Sequence, residues 1–250
     1  MALLTPLTPD DAARVADGYA LGAVHHIEAI AAGSVNSNFV LTTDRGRVFC
    51  RLYEEQDARG VAFEWRLLDH LSEHGIPVPA RRRGPAPGEI SVREKPVGVF
   101  DVIGGRELCH REVTAEHLTS VGTWLARVHL ASEGFEVVGR DRFDRNALRE
   151  RLRAVPLREH PELAADVARL LRVLDEIPSP VLPQGIVHGD LFRDNVRWQG
   201  DTLLAILDWE SALRGTLVYD LAVVMLAWTY TDAFAWPLAR SLVRAYHAVR

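Results

Sequence analysis

The sequence predicts an α+β chain of two lobes, a β-rich N-lobe (residues 1–103) with one helix and an α-rich C-lobe (residues 104–250). Three observations predict it. Short apolar runs broken by Gly, Asn and Asp turns fill the chain up to residue 103. Apolar stripes at helical spacing dominate after the Gly104-Gly105 joint. The 250 residues are 48% hydrophobic and 25% charged, which is ordinary for a globular chain and enough for one large domain or two lobes with real cores.

Thr8-Pro9-Asp10-Asp11 reads as a helix start that Gly18 ends. Residues 25–31 and 39–43 read as strands joined across Gly33-Ser34-Val35-Asn36-Ser37-Asn38, and residues 48–53 as a third strand after the turn Asp44-Arg45-Gly46. Residues 58–74 form an amphipathic helix with Val61, Leu67, Leu68 and Leu71 mostly on one face, Gly75 as C-cap and Pro77 and Pro79 barring its continuation. Residues 97–103 are an apolar strand. Beyond the joint, Leu118, Val121, Leu125 and Val128 make one helical stripe, and Leu163, Val167, Leu170, Leu171 and Leu174 a second. A Pro-rich connector, 178–183, leads to the short strand Gly185-Ile186-Val187, and residues 238–249 read as a closing helix.

The formal net charge of −5 suggests no polyanion partner, and Arg81-Arg82-Arg83, beside Gly84 and Pro85, reads as a solvated loop. Neither of the two cysteines, Cys50 and Cys109, sits in a metal or redox pattern. Residues 1–11 lack a signal-peptide pattern, and the most apolar stretch, 221–228, is too short to span a bilayer. The expectation is a reduced, cytoplasmic protein with no nucleic-acid or membrane partner.

The strongest chemical signal is His188-Gly189-Asp190-Leu191-Phe192-Arg193-Asp194-Asn195, followed by Ile206-Leu207-Asp208-Trp209-Glu210. Residues 196–198 and 203–207 are short apolar runs around the turn Gln199-Gly200-Asp201, so they should pair as a hairpin. Asn195 and Asp208 then face each other at its open end, with Asp190 a few residues away. Two carboxylates and an amide in one volume suit a hard cation such as Mg²⁺. Phosphoryl transfer uses such a cation together with a carboxylate that accepts the hydroxyl proton. Asn195 and Asp208 suit the metal, and Asp190 the proton.

These segments resemble the aminoglycoside-phosphotransferase and choline-kinase superfamily, which has a protein-kinase-like fold, and within it the homoserine kinase branch. The resemblance covers almost the whole chain. Gly33-Ser34-Val35-Asn36-Ser37-Asn38-Phe39 resembles that branch's nucleotide loop, and VGTWLARVHLASEGFE (121–136) its characteristic segment. GIVHGDLFRDNV and Tyr219-Asp220-Leu221-Ala222 match the catalytic loop and a later buried Asp. The resemblance implies ATP and Mg²⁺ as cofactors, Asp190 as catalytic base, and Asn195 and Asp208 as metal ligands. It implies that Gly33, Ser34, Asn36, Ser37 and Asn38 cover the phosphates, that Phe100 to Val102 is the hinge at the adenine edge, and that Asp220 braces the catalytic loop. The implied acceptor is a small-molecule hydroxyl, L-homoserine in threonine biosynthesis, with an aminoglycoside, choline, ethanolamine or another amino alcohol as alternatives. A pseudokinase that binds nucleotide without turnover is the reading of another class.

Departures from the pattern are also legible. Arg51 stands where such kinases carry a strand Lys, with Glu64 in the place of the helix Glu, and an Arg–Glu pair there could hold the phosphates. Asp208-Trp209-Glu210 resembles the wider superfamily more than the homoserine kinase branch. The chain stops at Arg250, where that branch continues for several helices that help wall the acceptor site, so a fragment or a more open pocket is expected. His129, on the apolar face of a helix, reads as a buried structural histidine.

Overall fold

Thr8 opens helix α1 (Pro9–Gly18) with a reciprocal cap: its hydroxyl accepts from the Asp11 N–H, and the Asp11 carboxylate accepts from the Thr8 N–H. The computed structural model describes residues 4–30, 35–136, 144–176 and 181–250. After α1 come strands β1 (Val24–Ile30), β2 (Ser37–Thr43) and β3 (Gly46–Leu52). With β4 (Ser91–Val92) and β5 (Lys95–Asp101) they form one antiparallel sheet in the order β1-β2-β3-β5-β4. The described ends of β1, β2, β3 and β5 lie within two residues of expectation, with Ala31 outside the described residues, and β4 is an unexpected addition.

Register decides what each face of this sheet does. Phe39 pairs with Cys50, and Cys50 with Val99. Side chains alternate along a strand, so Phe39, Leu41, Val48, Cys50, Leu52, Val97 and Val99 share one face. There they pack with Ala12, Val15, Ala16 and Tyr19 of the α1 region in a closed apolar layer. The other parity puts Asn38, Val40, Phe49, Arg51 and Phe100 on the opposite face, which becomes the wall of a cleft. A slip of one residue would exchange the two sets.

Helix α2 (Ala58–Glu73) is capped by Asp57, whose carboxylate accepts from the Arg59 and Gly60 N–H groups. Its buried face, including Val61, Trp65, Leu68 and Leu71, joins a larger core that runs on into the C-terminal half. Gly105, in the expected joint, has a φ of 80° that suits glycine, and a Cβ there would lie 2.5 Å from the Trp198 carbonyl oxygen. The close approach lets Arg106 and Trp198 exchange backbone hydrogen bonds, both 2.9 Å long. Helix α3 (Ala115–Ala131) buries the expected stripe, with Leu118, Val121, Leu125 and Val128 all at most 1% exposed. Each such side chain contributes about 1.5–3 kcal/mol relative to an exposed one.

Helices α4 (Arg145–Arg153) and α5 (Ala164–Glu176) follow. The second stripe departs from expectation here: Val167 is buried, but Leu163 and Leu170 are each 39% exposed. Its period is helical, but no described element packs over its whole length. Strands β6 (Gln184–Val187) and β9 (Leu213–Thr216) pair with each other, and β7 (Val196–Gln199) with β8 (Thr202–Ile206), the expected hairpin. Helices α6 (Val218–Thr229) and α7 (Trp236–Val249) close the described chain. Gly122 lets α7 approach α3, since a Cβ there would meet the Leu242 carbonyl oxygen at 2.4 Å. Among the described residues no helix is long and apolar enough to cross a membrane.

Candidate active site

The β7–β8 hairpin organises the site. Val196 pairs with Ile206, and beyond that pair the Leu207 N–H donates to the Asn195 carbonyl at 2.8 Å. Asp208 therefore leaves the hairpin beside Asn195. It does so in the left-handed region (φ 61°, ψ 69°), a conformation that Asp tolerates better than most residues. Asn195 Nδ2 donates to the Asp190 carbonyl (2.7 Å) and to Asp190 Oδ2 (3.1 Å), which fixes the Asp190 carboxylate against the hairpin.

The loop is held from behind by a buried acid. Asp220, on α6, is fully buried, and its carboxylate accepts from the His188 N–H (2.7 Å), the Gly189 N–H (2.9 Å) and His129 Nε2 (3.1 Å). The other ring nitrogen of His129 meets the Tyr246 hydroxyl of α7 at 2.8 Å. His188 has its own fixed role. Its Nδ1 accepts from the Asp190 N–H (3.2 Å), so the ring proton is assigned to Nε2, which donates to the Leu207 carbonyl at 2.8 Å. Trp209 packs on that imidazole with centroids 4.6 Å apart.

From the sheet, Arg51 reaches across the cleft. Its Nη1 is 2.9 Å from Asp208 Oδ1 and 3.9 Å from Glu64 Oε1, and its Nε donates to Asn38 Oδ1 at 3.3 Å. Burial works against its charge, but Asp208 and Glu64 more than offset that and hold the guanidinium charged. Val40, Phe49, Leu68, Phe100, Val102 and Leu207 give the adjoining cleft, about 720 Å³ including its open mouth, a largely apolar wall. Phe49 and Phe100 meet edge to face, 6.4 Å between centroids. The site thus joins an apolar slot to a set of oxygen donors and one guanidinium.

A profile of the phosphotransferase enzyme family matches residues 26–250. The chain belongs to that family. A homoserine kinase of Bradyrhizobium diazoefficiens is 34% identical over 260 residues, covering 100% of this chain and 78% of that protein. A homoserine kinase of Phenylobacterium zucineum is also 34% identical over 260 residues, covering 100% of this chain and 79% of its own. An amicoumacin kinase solved with AMP-PNP and Ca²⁺ has a TM-score of 0.72 at 14% identity over 95% of this chain and 78% of that one, which shows the shared kinase-like fold. The chain is a small-molecule phosphotransferase.

Of the residues singled out in the phosphotransferase sequence, Asp190, Asn195, Asp208, Arg51 and Glu64 come together as one connected set. Phe100 lines the cleft and Val102, 39% exposed, lies just beyond β5. Asn36 and Asn38 face the cleft side, but Ser37 does not. Its hydroxyl accepts from the Leu4 and Thr5 N–H groups and donates to Glu54 at 2.6 Å, on the opposite parity. Gly33 and Ser34 lie outside the described residues. Sequence reasoning missed Glu210: its carboxylate accepts from Asn36 Nδ2, and its carbonyl accepts from Gln56 Nε2 at 3.1 Å. An acid two residues after Asp208 was the available signal. It missed Tyr246 as well, for which the sequence carries no local sign.

Electrostatics separate the acids of the phosphotransferase. Burial raises the Asp190 carboxyl and the charge of Asp208 adds to it, while His188 and the Asn195 bond oppose. Burial likewise raises Glu210. Glu64, 2% exposed, is pushed up to about 7 from the usual 4.5, chiefly by burial, with Arg51 pulling the other way. Between those values the native state keeps a proton that the unfolded chain has released. The stability this proton supplies is therefore complete below about pH 4.5 and is lost as pH rises through 7. Glu64→Gln, neutral at every pH, should remove this loss, which is on the order of 3 kcal/mol for the full shift. Urea midpoints at pH 5 and pH 8 check it. Wild type should fall more than the variant across that interval, and parallel changes would show that Glu64 ionises freely.

Proposed function

We propose that this phosphotransferase moves the γ-phosphoryl group of ATP onto the side-chain hydroxyl of L-homoserine, with Asp190 as the base. The observation that carries the chemistry is the Asp190–Asn195 pair on a loop anchored by Asp220 and set against Asp208 and Arg51. The homoserine kinases that match the whole chain support the acceptor.

Each residue has a part in this reading. Asp190 accepts the hydroxyl proton, and its raised carboxyl suits a base that must also release that proton. Asn195 has its amide nitrogen committed to Asp190, leaving Oδ1 as the oxygen it can offer. Asp208 has Oδ1 on Arg51 and a second oxygen to give. This all-oxygen donor set fits Mg²⁺, which Asn195 and Asp208 would hold. When bound, Mg²⁺ would neutralise negative charge on the phosphates. Arg51 adds a fixed positive charge for the α- and β-phosphates, oriented by Glu64. Asn36 and Asn38, on the cleft side of the sheet, meet the phosphates, while Phe100 and the backbone around Val102 receive the adenine. Work on ATP implies the cytoplasm as its place.

Magnesium-dependent ADP release with L-homoserine, L-serine, choline, ethanolamine and kanamycin tests the reading. L-Homoserine is expected to drive release with the highest kcat/KM. A stronger response to any other acceptor would keep the kinase and discard the substrate. Nucleotide binding with no release for any acceptor would discard both.

A further inference from the structure

A second cavity lies beside the catalytic loop and shares no lining residue with the nucleotide cleft. It has about 600 Å³ of open space and is lined by Glu107, Leu108, Phe192, Arg193, Asp194 and Ala227. Half of that lining comes from the short loop between Asp190 and Asn195. The Cα atoms of Asp190 and Arg193 are at most about 11 Å apart along the chain. The bond from the Phe192 N–H to the Asp190 carbonyl, 2.8 Å, draws the loop tighter. In an in-line transfer the acceptor hydroxyl approaches from the side opposite the leaving nucleotide oxygen. A hydroxyl held at Asp190 therefore has the rest of its molecule turned away from the nucleotide, and this cavity, apart from the nucleotide cleft and lined by the same short loop, is within reach of it.

The cavity carries both signs of charge. Arg193 is half-buried and forms no ion pair with another described residue. Asp194 is exposed, and Glu107 uses Oε1 to hold Arg197 at 3.1 Å. Leu108, Phe192 and Ala227 supply apolar contact for a short carbon chain. A planar guanidinium binds a carboxylate through two parallel hydrogen bonds, and nearby carboxylates suit an ammonium.

We propose that this cavity holds the amino-acid end of the acceptor, with Arg193 on its α-carboxylate and Glu107 and Asp194 on its α-ammonium. The proposal rests on the reading of the site as a kinase of an amino-acid hydroxyl, and it names the residues that would distinguish such an acceptor from a plain amino alcohol.

The test compares kcat/KM for L-homoserine, for its decarboxylated analogue aminopropanol and for its deaminated analogue hydroxybutanoate, in the full chain. In Arg193→Ala the ratio of homoserine to aminopropanol should fall about 10- to 100-fold, the worth of a charged hydrogen-bonded contact. Arg193→Lys should fall in between, and it decides the matter if the alanine variant does not fold. Glu107→Gln combined with Asp194→Asn should lower the ratio of homoserine to hydroxybutanoate instead. A merely structural Arg193 would slow both acceptors alike and leave the ratio unchanged. That outcome overturns the cavity assignment while leaving homoserine turnover by the wild type standing. A wild type that prefers aminopropanol, or turns over none of the three, overturns both.

Discussion

Asp190→Asn will lower kcat by about 10²- to 10⁴-fold, the usual contribution of a positioned general base, while ATP binds nearly as before. The substitution conserves shape, and the amide oxygen can still accept from Asn195 Nδ2, which now donates to Asp190 Oδ2 at 3.1 Å. The loop has independent anchors as well. Asn195 Nδ2 also holds the Asp190 backbone carbonyl at 2.7 Å, and Asp220 holds the two N–H groups before it. What the amide lacks is basicity. The Asp190 carboxyl is raised by burial and by Asp208, so wild-type kcat/KM should fall as pH drops through that raised value and the base becomes protonated. The variant should lose this acid limb. Steady-state ADP release and titration with a fluorescent ATP analogue give the two readouts. Turnover within a few-fold of wild type would place the base elsewhere, and loss of ATP binding would mean the loop itself had moved.

Asp220→Ala is expected to destabilise the chain by about 3–5 kcal/mol, the cost of removing one partner from a buried charged network. Asp220 is fully buried and serves the His188 N–H, the Gly189 N–H and His129 Nε2. Alanine leaves all these donors dry and unpaired, and each unmet buried donor is expensive. For a chain of this size the loss corresponds to a drop in Tm of roughly 10 °C. Asp220→Asn should cost less, because one oxygen still accepts, but its amide hydrogens oppose a ring of donors. Urea unfolding measures the first effect, and kcat at a temperature where both variants are folded measures the second. A loss under about 1 kcal/mol would show that water takes over the bonds, and the bracing role would fall.

Part of this site was legible because its members are close in the chain. Asp190 and Asn195 are five residues apart, and the turn at Gly200 folds Asp208 back onto Asn195, so spacing alone put oxygen donors together. Arg51 and Glu64 were legible through the family resemblance, which sets a strand cation against a helix acid at those positions, and the alternation of side chains along a strand agrees for Arg51. The same rule marks Ser37 as a residue of the other face, a consequence of pairing Ser37 with Leu52 that loop composition concealed. Helix α5 shows the limit of period. Its apolar stripe is regular, yet Leu163 and Leu170 stay exposed because a period specifies a face and not what covers it.

By itself, the sequence determined the two-part α+β order, the N-terminal strands with their helix, and the hairpin that sets oxygen donors side by side, since turns and apolar period are local properties of the chain. Tertiary structure alone decided that Asn36 reaches Glu210 and that Tyr246 on the last helix holds His129. Those partners lie far apart along the chain. Nothing local selects them, and they meet because the halves share one apolar core whose closure fixes the distances between them.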